Sequence, residues 1–270
     1  MVTQSAGGAR IEIDLDAGCR IASLEVGGHQ LLVTGAASPI DWGCYPMAPY
    51  AGRVRDGRFT FRGRSYRLPR TLGGHAIHGS VYKRRWEAES DVAFVTELGP
   101  EWPLAGRARQ EIRADADGIR FRLEVHSEGG AMPAACGWHP WFRRVVAGAG
   151  AVLEFHPGFM YERDAAGIAT RERRPVAAGP WDDCFGGVEE PPVITWPGVL
   201  RLELESTCGY WVVFTEREHA LCVEPQTAPP DSLNQDPFVV EPGRPLVAEC
   251  TMRWDLLGDP AARVADRTRR

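Results

Sequence analysis

Strict alternation of apolar and polar residues, repeated along the chain, is the feature that most limits how these 270 residues can fold. In residues 11–16, 119–125, 200–205 and 248–254, every second residue is apolar and the residues between are polar or charged. A period of two puts successive side chains on opposite faces of a strand, so each segment predicts a strand with one buried face. An amphipathic helix would instead repeat its apolar residues every three or four positions.

Turn-forming residues separate these segments along the whole chain. The 30 glycines and 21 prolines leave few windows long enough for a helix, and the one helix-like segment follows Pro260. Residues 115–118 and 62–65 predict hairpin turns, the second between strands at 59–61 and 66–68. Many short strands without intervening helices predict an all-β fold, a large antiparallel β-sandwich or a barrel. No repeat or linker divides the chain, so we expect one domain over residues 1–270.

Composition limits the partners of the chain. A formal net charge of −5 argues against nucleic-acid binding. No apolar run approaches the roughly 18 residues of a membrane helix, and the first residues resemble no secretory signal. We therefore expect a cytoplasmic protein with neither a nucleic acid nor a membrane as partner. The 7 cysteines occur singly and form no C-x-x-C pair, which favours reduced, buried thiols over disulfides.

Four segments are richer in polar, aromatic and turn residues than the alternating strands: residues 48–79, 136–142, 181–185 and 223–234. Within them, His139 lies between two tryptophans, and an imidazole can donate or accept a proton near neutral pH. Glu224 ends an apolar run and precedes a proline, so its carboxylate is predicted at the end of a strand, where it could act as a base. The sequence alone does not place these two residues near each other.

Taken together and in this order, the four segments resemble the aldose 1-epimerase (galactose mutarotase) family. The resemblance implies a galactose mutarotase-like β-sandwich and an isomerase that interconverts the α and β anomers of a free aldose, without cofactor or metal. It implies that Glu224 is the general base for the C1 hydroxyl and His139 the general acid for the ring oxygen. His78 resembles a second histidine close to the ring oxygen and C1. The partner implied is a small-molecule sugar, and we expect a monomer or homodimer.

Other positions are implied to bind the sugar. Arg53 and Asp182 resemble residues that bind further hydroxyls, and His75 and Gln226 are additional candidates. Either tryptophan beside His139 could stack on the sugar ring, and Trp138 is the one named as a substrate-binding candidate. The alternative is that Trp138, Trp141 and Phe142 form a core cluster. Asp182 is preferred to its neighbour Asp183 because it leaves two residues before Phe185.

Departures from the family pattern leave the sugar preference open. His75 stands where many members have asparagine, residues 137–141 read Gly-Trp-His-Pro-Trp, and Asp183-Cys184 differs from the more usual His-Asn. A hexose-phosphate mutarotase therefore stays a possible reading, with arginines 84–85 or 143–144 as phosphate ligands. The spacing of His75 and His78 also suggests zinc, but it lacks an obvious third ligand.

Two further alternatives are a non-catalytic carbohydrate-binding protein of the same fold and a glycosidase, whose chemistry uses two carboxyl groups. The presence of both Glu224 and His139 argues against a mere binding protein. A histidine as the partner of Glu224 suits reversible ring opening better than glycosyl transfer. The pair predicts a rate that falls in acid as Glu224 is protonated and in alkali as His139 loses its proton.

Overall fold

Antiparallel strands account for most of the protein's structure, a computed structural model that describes residues 1–258. The helix predicted after Pro260 lies outside the described residues. In chain order the strands are β1 (Val2–Ala6), β2 (Ala9–Asp14), β3 (Arg20–Val26), β4 (His29–Gln30), β5 (Cys44–Met47), β6 (Arg53–Val54), β7 (Arg58–Phe61), β8 (Arg64–Arg67), β9 (Ala76–Ile77), β10 (Glu87–Ala88), β11 (Ala93–Glu97), β12 (Gly106–Ala114), β13 (Gly118–Ser127) and β14 (Met132–Ala134). They continue with β15 (Gly137–Arg143), β16 (Val145–Val146), β17 (Ala149–Gly150), β18 (Val152–Glu154), β19 (Pro157–Arg163), β20 (Ala169–Arg174), β21 (Asp182–Val188), β22 (Val193–Trp196), β23 (Leu200–Ser206), β24 (Tyr210–Phe214), β25 (Ala220–Gln226), β26 (Phe238–Val240) and β27 (Leu246–Leu256).

Two large sheets contain most of these strands. Over residues 1–258, the larger sheet has 11 strands in the order β1-β2-β3-β5-β15-β25-β24-β21-β19-β20, with β4 paired to β3. The smaller has 8 strands in the order β10-β11-β12-β13-β27-β23-β22-β18. Short pairs, β6–β9, β7–β8, β14–β26 and β16–β17, lie outside both sheets. The described part of the chain is thus an all-β antiparallel sandwich, as predicted.

The core lies between the two large sheets, where their apolar faces pack. The Phe121 ring of the smaller sheet lies 5.8 Å from the Trp138 ring of the larger sheet, measured between centroids. Phe142 and Trp196 make a second contact of this kind at 6.5 Å. All four alternating segments supply strands whose apolar residues are buried in this core. Burying one such large side chain contributes about 1.5–3 kcal/mol, which fixes which face of each strand points inward.

Both predicted hairpin turns are confirmed. Residues 115–117 join β12 to β13, and the N–H of Asp115 donates to the carbonyl of Gly118 at 2.8 Å. Arg62 and Gly63 join β7 to β8 with φ values of 49° and 76°. Positive φ at both central residues is the backbone of a type I′ turn, whose twist matches that of the flanking strands.

Helical structure within residues 1–258 is confined to α1 (Ser232–Gln235) and two 3-10 turns, Arg55–Gly57 and Val81–Lys83. No helix among the described residues is long and apolar enough to span a membrane. The face of the larger sheet that is turned away from the smaller one carries a large cavity. The central strands β15 and β25 form part of its floor.

Candidate active site

Strand register brings the predicted acid and base together. On the adjacent strands β15 and β25, Gly137 pairs with Gln226 and Trp141 pairs with Cys222, so His139 stands opposite Glu224. Nε2 of His139 lies 3.2 Å from Oε1 of Glu224. Both residues are nearly fully buried, with exposed fractions of 5% and 2%.

The pair lies in a cavity of about 630 Å³, within the range typical of small-molecule sites. Seven of the eight residues predicted from the sequence line it: Arg53, His75, His78, His139, Asp182, Glu224 and Gln226. These residues come from segments that are far apart in the chain. Their convergence on one cavity is what the resemblance implied about their location; their roles stay predictions.

Burial dominates the electrostatics of Glu224. Loss of solvation raises the pKa of its carboxyl well above the usual value, and the negative charge of Asp182 raises it further. Opposing effects on this pKa come from Gln226, whose Nε2–H donates to Oε2 of Glu224 at 3.1 Å, and from the charge of Arg53. Oε1 of Gln226 is buried and has no hydrogen-bond partner among residues 1–258, which leaves one acceptor for a ligand.

Burial acts on His139 in the opposite direction. It lowers the pKa of the imidazole to about 3, with a further contribution from the positive charge of Arg20. A carboxylate–imidazolium pair at 3.2 Å would instead raise the histidine pKa and lower that of the acid. Loss of solvation outweighs this attraction, because both charged forms would be buried without water. Both shifts favour the neutral forms, a protonated Glu224 beside an uncharged His139.

These directions favour the opposite pH assignment to the one predicted from the sequence. The groups titrate as a pair, so their two pKa values belong to the pair. In acid the pair gains a second proton, mainly on His139, and in alkali it loses its single proton, mainly from Glu224. The acid side of the expected bell-shaped profile is thus assigned to His139 and the alkaline side to Glu224.

Two aromatic rings stack on the imidazole of His139. Its ring stacks on Tyr45, with centroids 4.9 Å apart, and on Trp141, with centroids 5.3 Å apart. The hydroxyl of Tyr45 and Nε1–H of Trp141 both donate to the carbonyl of Ile40, at 3.0 and 2.7 Å. The imidazole plane is therefore fixed by two aromatic side chains that are themselves fixed by hydrogen bonds.

Arg20 lies behind this stack and was not found from the sequence. It is fully buried, and its guanidinium donates to the carbonyls of Ala17, Trp42 and Tyr82 at 2.7, 2.9 and 3.0 Å. It lies 5.1 Å from the Tyr45 ring centroid. No carboxylate within residues 1–258 approaches it to ion-pair distance, although the charge of Asp14 acts on it from further away. A single arginine at the start of an apolar strand carries no sequence signal of this role.

The backbone at His78 is built to aim its ring at His139. His78 has a φ of 59°, a left-handed conformation that non-glycine residues adopt at some cost. The next residue, Gly79, has a φ of 77°, and a Cβ there would lie 1.9 Å from the carbonyl oxygen of Ala48. The His78 ring meets the His139 ring edge-on, with centroids 4.9 Å apart. Burial, then the neighbouring His139 and Arg53, lower the His78 pKa well below its usual value, so its imidazole is neutral.

Four charged side chains at the cavity wall are paired with each other. Arg53 lies 3.4 Å from Asp182, and Arg163 contacts both Asp182 at 3.5 Å and Asp183 at 3.0 Å. Both aspartates line the cavity, so the choice of Asp182 over Asp183 is not decided by position. Arg163 belongs to no motif and could not be selected from the sequence.

The prediction that Trp138 forms a stacking surface in the site is wrong. Trp138 is 1% exposed, and its Nε1–H donates to Oε1 of Gln110 at 2.7 Å within the core between the sheets. Alternation along β15 explains this, because His139 and Trp141 share the cavity face whereas Trp138 and Phe142 face the core. The same rule applied to the sequence would have selected Trp141.

Metal-binding groups occur in a different place from the one suggested by the sequence. Nδ1 of His75 accepts the backbone N–H of Asp56 at 3.0 Å, so the His75–His78 spacing is used for loop structure. One group of three within residues 1–258 has ligand atoms within 4.8 Å of one another: His139, Cys222 and Glu224.

Comparison with known proteins gives one family. Residues 2–253 match the aldose 1-epimerase family. Among curated proteins, YphB of Escherichia coli K12, described as uncharacterized, is 30% identical over 108 residues. That match covers 38% of this chain and 37% of YphB, so it spans little more than a third of the relative's length.

Solved structures show the same fold. A galactose mutarotase-like protein from Clostridium acetobutylicum has a TM-score of 0.83 at 17% identity, covering 94% of each chain. A galactose 1-epimerase from Lactobacillus acidophilus has a TM-score of 0.78 at 14% identity, covering 95% of this chain and 94% of its own. At these identities the likeness concerns the fold alone.

Proposed function

The chain belongs to the aldose 1-epimerase family, and from this premise we propose that it interconverts the α and β anomers of a free aldose. The single observation that carries the proposal is the contact between Nε2 of His139 and Oε1 of Glu224 at 3.2 Å, buried in a cavity open to small molecules. The proposed reaction is acid/base-catalysed ring opening and reclosure, which needs no cofactor.

The proposed reaction leaves the number of protons on the His139–Glu224 pair unchanged, as a pair with a single shared proton requires. In ring opening, Glu224 as carboxylate takes the proton of the C1 hydroxyl while His139 as imidazolium donates one to the ring oxygen. The bond from C1 to the ring oxygen breaks, and C1 becomes an aldehyde. The pair ends with a protonated Glu224 and a neutral His139, so its proton count is unchanged. Rotation about C1–C2 and the reverse transfers give the other anomer.

The direct contact within the pair explains how it can start from the neutral form. Moving one proton from Glu224 to His139 across 3.2 Å produces the carboxylate and imidazolium that ring opening requires. No proton from solvent is needed at any step. The two residues are only 5% and 2% exposed, so bulk water has little access to the atoms that exchange the proton.

Surrounding residues can orient the sugar. His78, neutral and edge-on to His139, can hydrogen-bond near the ring oxygen. Arg53 and Asp182 present a donor and an acceptor to hydroxyls, and Oε1 of Gln226 offers a further acceptor. Trp141 replaces Trp138 as the proposed aromatic surface for the apolar face of the ring.

Charges on the cavity wall favour an uncharged sugar over a hexose phosphate. Five carboxyl groups line the cavity against three guanidinium groups: Asp41, Asp182, Asp183, Glu216 and Glu224 against Arg53, Arg163 and Arg217. Two of the three arginines are paired with aspartates, and neither arginine pair suggested as a phosphate ligand lines the cavity. A dianionic phosphate would meet a net negative wall.

Polarimetry of freshly dissolved α-D-glucose and α-D-galactose tests the proposal. We expect the wild type to accelerate the approach to the anomeric equilibrium, and Glu224→Gln to lose at least about a hundredfold of that rate, as expected for a group that transfers protons. Glu216→Gln is the matched control, because it removes a carboxylate from the exposed rim of the same cavity.

Sugar binding by Glu224→Gln, measured by calorimetry, separates catalysis from binding. Retained binding with lost rate supports the proton-transfer role. Binding by the wild type with no acceleration of any sugar in a panel of aldoses would instead identify a carbohydrate-binding protein and refute the proposed activity.

A further inference from the structure

We propose that His139, Cys222 and Glu224 form a site for a zinc ion, and that zinc bound there blocks the proton exchange of the pair. The inhibition rests on the proposed function, whereas the binding does not. The ligand atoms of these three side chains lie within 4.8 Å of one another, and all three residues are buried.

Strand geometry creates this cluster. Cys222 and Glu224 are two residues apart on β25, so their side chains share the cavity face. Cys222 pairs with Trp141 and His139 stands opposite Glu224. The three groups thus occupy neighbouring positions on the two central strands of the larger sheet. On the far side of each strand, His139 pairs with Tyr45 of β5 and Glu224 with Val212 of β24.

Distances within the cluster suit a tetrahedral ion. Two nitrogen or oxygen ligands bound to zinc at about 2.0–2.2 Å are roughly 3.4 Å apart in a tetrahedral site. Nε2 of His139 and Oε1 of Glu224 are already 3.2 Å apart. Sγ of Cys222 lies within 4.8 Å of the other ligand atoms, so a shift of about 1 Å brings a zinc–sulfur bond of about 2.3 Å into reach.

Ligand chemistry selects the ion. A thiolate with an imidazole favours zinc over magnesium or calcium, which prefer all-oxygen sites. Three protein ligands leave a fourth position open toward the cavity, as in zinc sites that retain a water molecule. A zinc ion held by these three ligands would be bonded to Nε2 of His139 and to the carboxylate of Glu224, the two groups that exchange the proton.

Binding releases protons, which gives it a characteristic pH dependence. Zinc requires the thiolate of Cys222 and the carboxylate of Glu224, so the thiol proton and the proton of the pair pass to solvent. Zinc affinity is therefore expected to rise with pH.

Titration with zinc chloride in chelator-free buffer tests the site without any sugar. We expect one zinc per chain, and for the cobalt(II) derivative a thiolate-to-metal charge-transfer band. Cys222→Ala should lose the band and weaken zinc binding by roughly tenfold or more, as expected for loss of one of three protein ligands. Cys184→Ala is the matched control, since Cys184 is a buried thiol that lines the same cavity outside the cluster.

Activity supplies a second, separate measurement. Zinc should inhibit anomer interconversion by the wild type and by Cys184→Ala, whereas Cys222→Ala should stay active and resist. If Cys222→Ala does not fold, Cys222→Ser keeps the side-chain volume while removing the soft ligand. No zinc binding by the wild type, or equal binding by wild type and a folded Cys222 variant, would overturn the site. A wild type that binds zinc but interconverts no anomers would overturn only the proposed function.

Discussion

Replacing Glu224 by glutamine should stabilise the protein, and the gain should grow with pH. The carboxyl of Glu224 is 2% exposed, and burial raises its pKa well above the usual value. Below its unfolded-state pKa the residue is protonated in both folded and unfolded chains, and it has no pH-dependent cost. Above that pKa the unfolded chain ionises while the folded chain keeps the proton, so the folded state loses stability as pH rises.

The size of the effect follows from linkage. Each pH unit between the unfolded-state and folded-state pKa values costs the wild type up to about 1.4 kcal/mol of unfolding free energy. Between about pH 5 and about pH 7 the stability difference between Glu224→Gln and wild type should thus widen by up to about 2.7 kcal/mol. For a chain of this size that corresponds to a Tm difference of roughly 5–10 °C. The lowered pKa of His139 affects both proteins and largely cancels in the difference.

Thermal unfolding of both proteins across this pH range, without sugar, measures the effect. Glu216→Gln, which removes an exposed carboxylate from the same cavity, controls for the lost charge. We expect the Tm advantage of Glu224→Gln to rise steadily with pH and that of the control to stay flat. A Glu224→Gln variant that is less stable than wild type at about pH 7, or an advantage that shrinks with pH, would refute a carboxyl that burial keeps protonated.

Three further outcomes are expected. The rate of anomer interconversion, measured by polarimetry against pH, should stay constant through mild acid and fall only near the lowered pKa of His139 at about 3. In alkali the rate should fall as Glu224 loses the shared proton. A loss of rate centred near the ordinary histidine pKa would contradict this. Arg20→Met should remove the positive charge behind the stack and raise the pKa of His139, which NMR titration of its ring would detect; an unchanged pKa, with the fold intact by circular dichroism, would exclude the arginine as a cause. Trp138→Phe should cost about 1–3 kcal/mol in urea unfolding, because it removes a buried hydrogen bond, and leave KM unchanged, whereas Trp141→Phe should change KM. The reverse pattern of KM changes would restore Trp138 to the site.

The fold was predictable because its main determinant is local. Alternation in residues 119–125 and 248–254 is visible in the sequence, and these segments are β13 and part of β27, paired in the smaller sheet. Their pairing with each other was not predictable, since about 120 residues separate them and many strands of the same pattern compete. The type I′ turn at residues 62–63 needed only its neighbours and was found.

Most residues of the candidate site were predictable from motifs. Which of them point into the cavity is decided by the alternation of side chains along the strand. Alternation along β15 alone separates His139 and Trp141 from Trp138, and the motif without this rule selected the wrong tryptophan. Arg163 reaches Asp183 from a different strand, with no spacing or composition to mark it. Residues of this kind become visible only when the distant strands are assembled.

The protonation state of the His139–Glu224 pair is the property that was least predictable from the sequence. With the ordinary pKa values of glutamate and histidine, Glu224 would be negatively charged and His139 partly protonated near neutral pH. The structure reverses this through burial, a collective property of the residues around the pair, and through Arg20, which is remote in sequence and separated from His139 by Tyr45. Because an acid/base catalyst functions through its protonation state, the sequence motifs select the two groups proposed to react but not which of them holds the proton. That depends on how completely the residues around the cavity keep water from the pair.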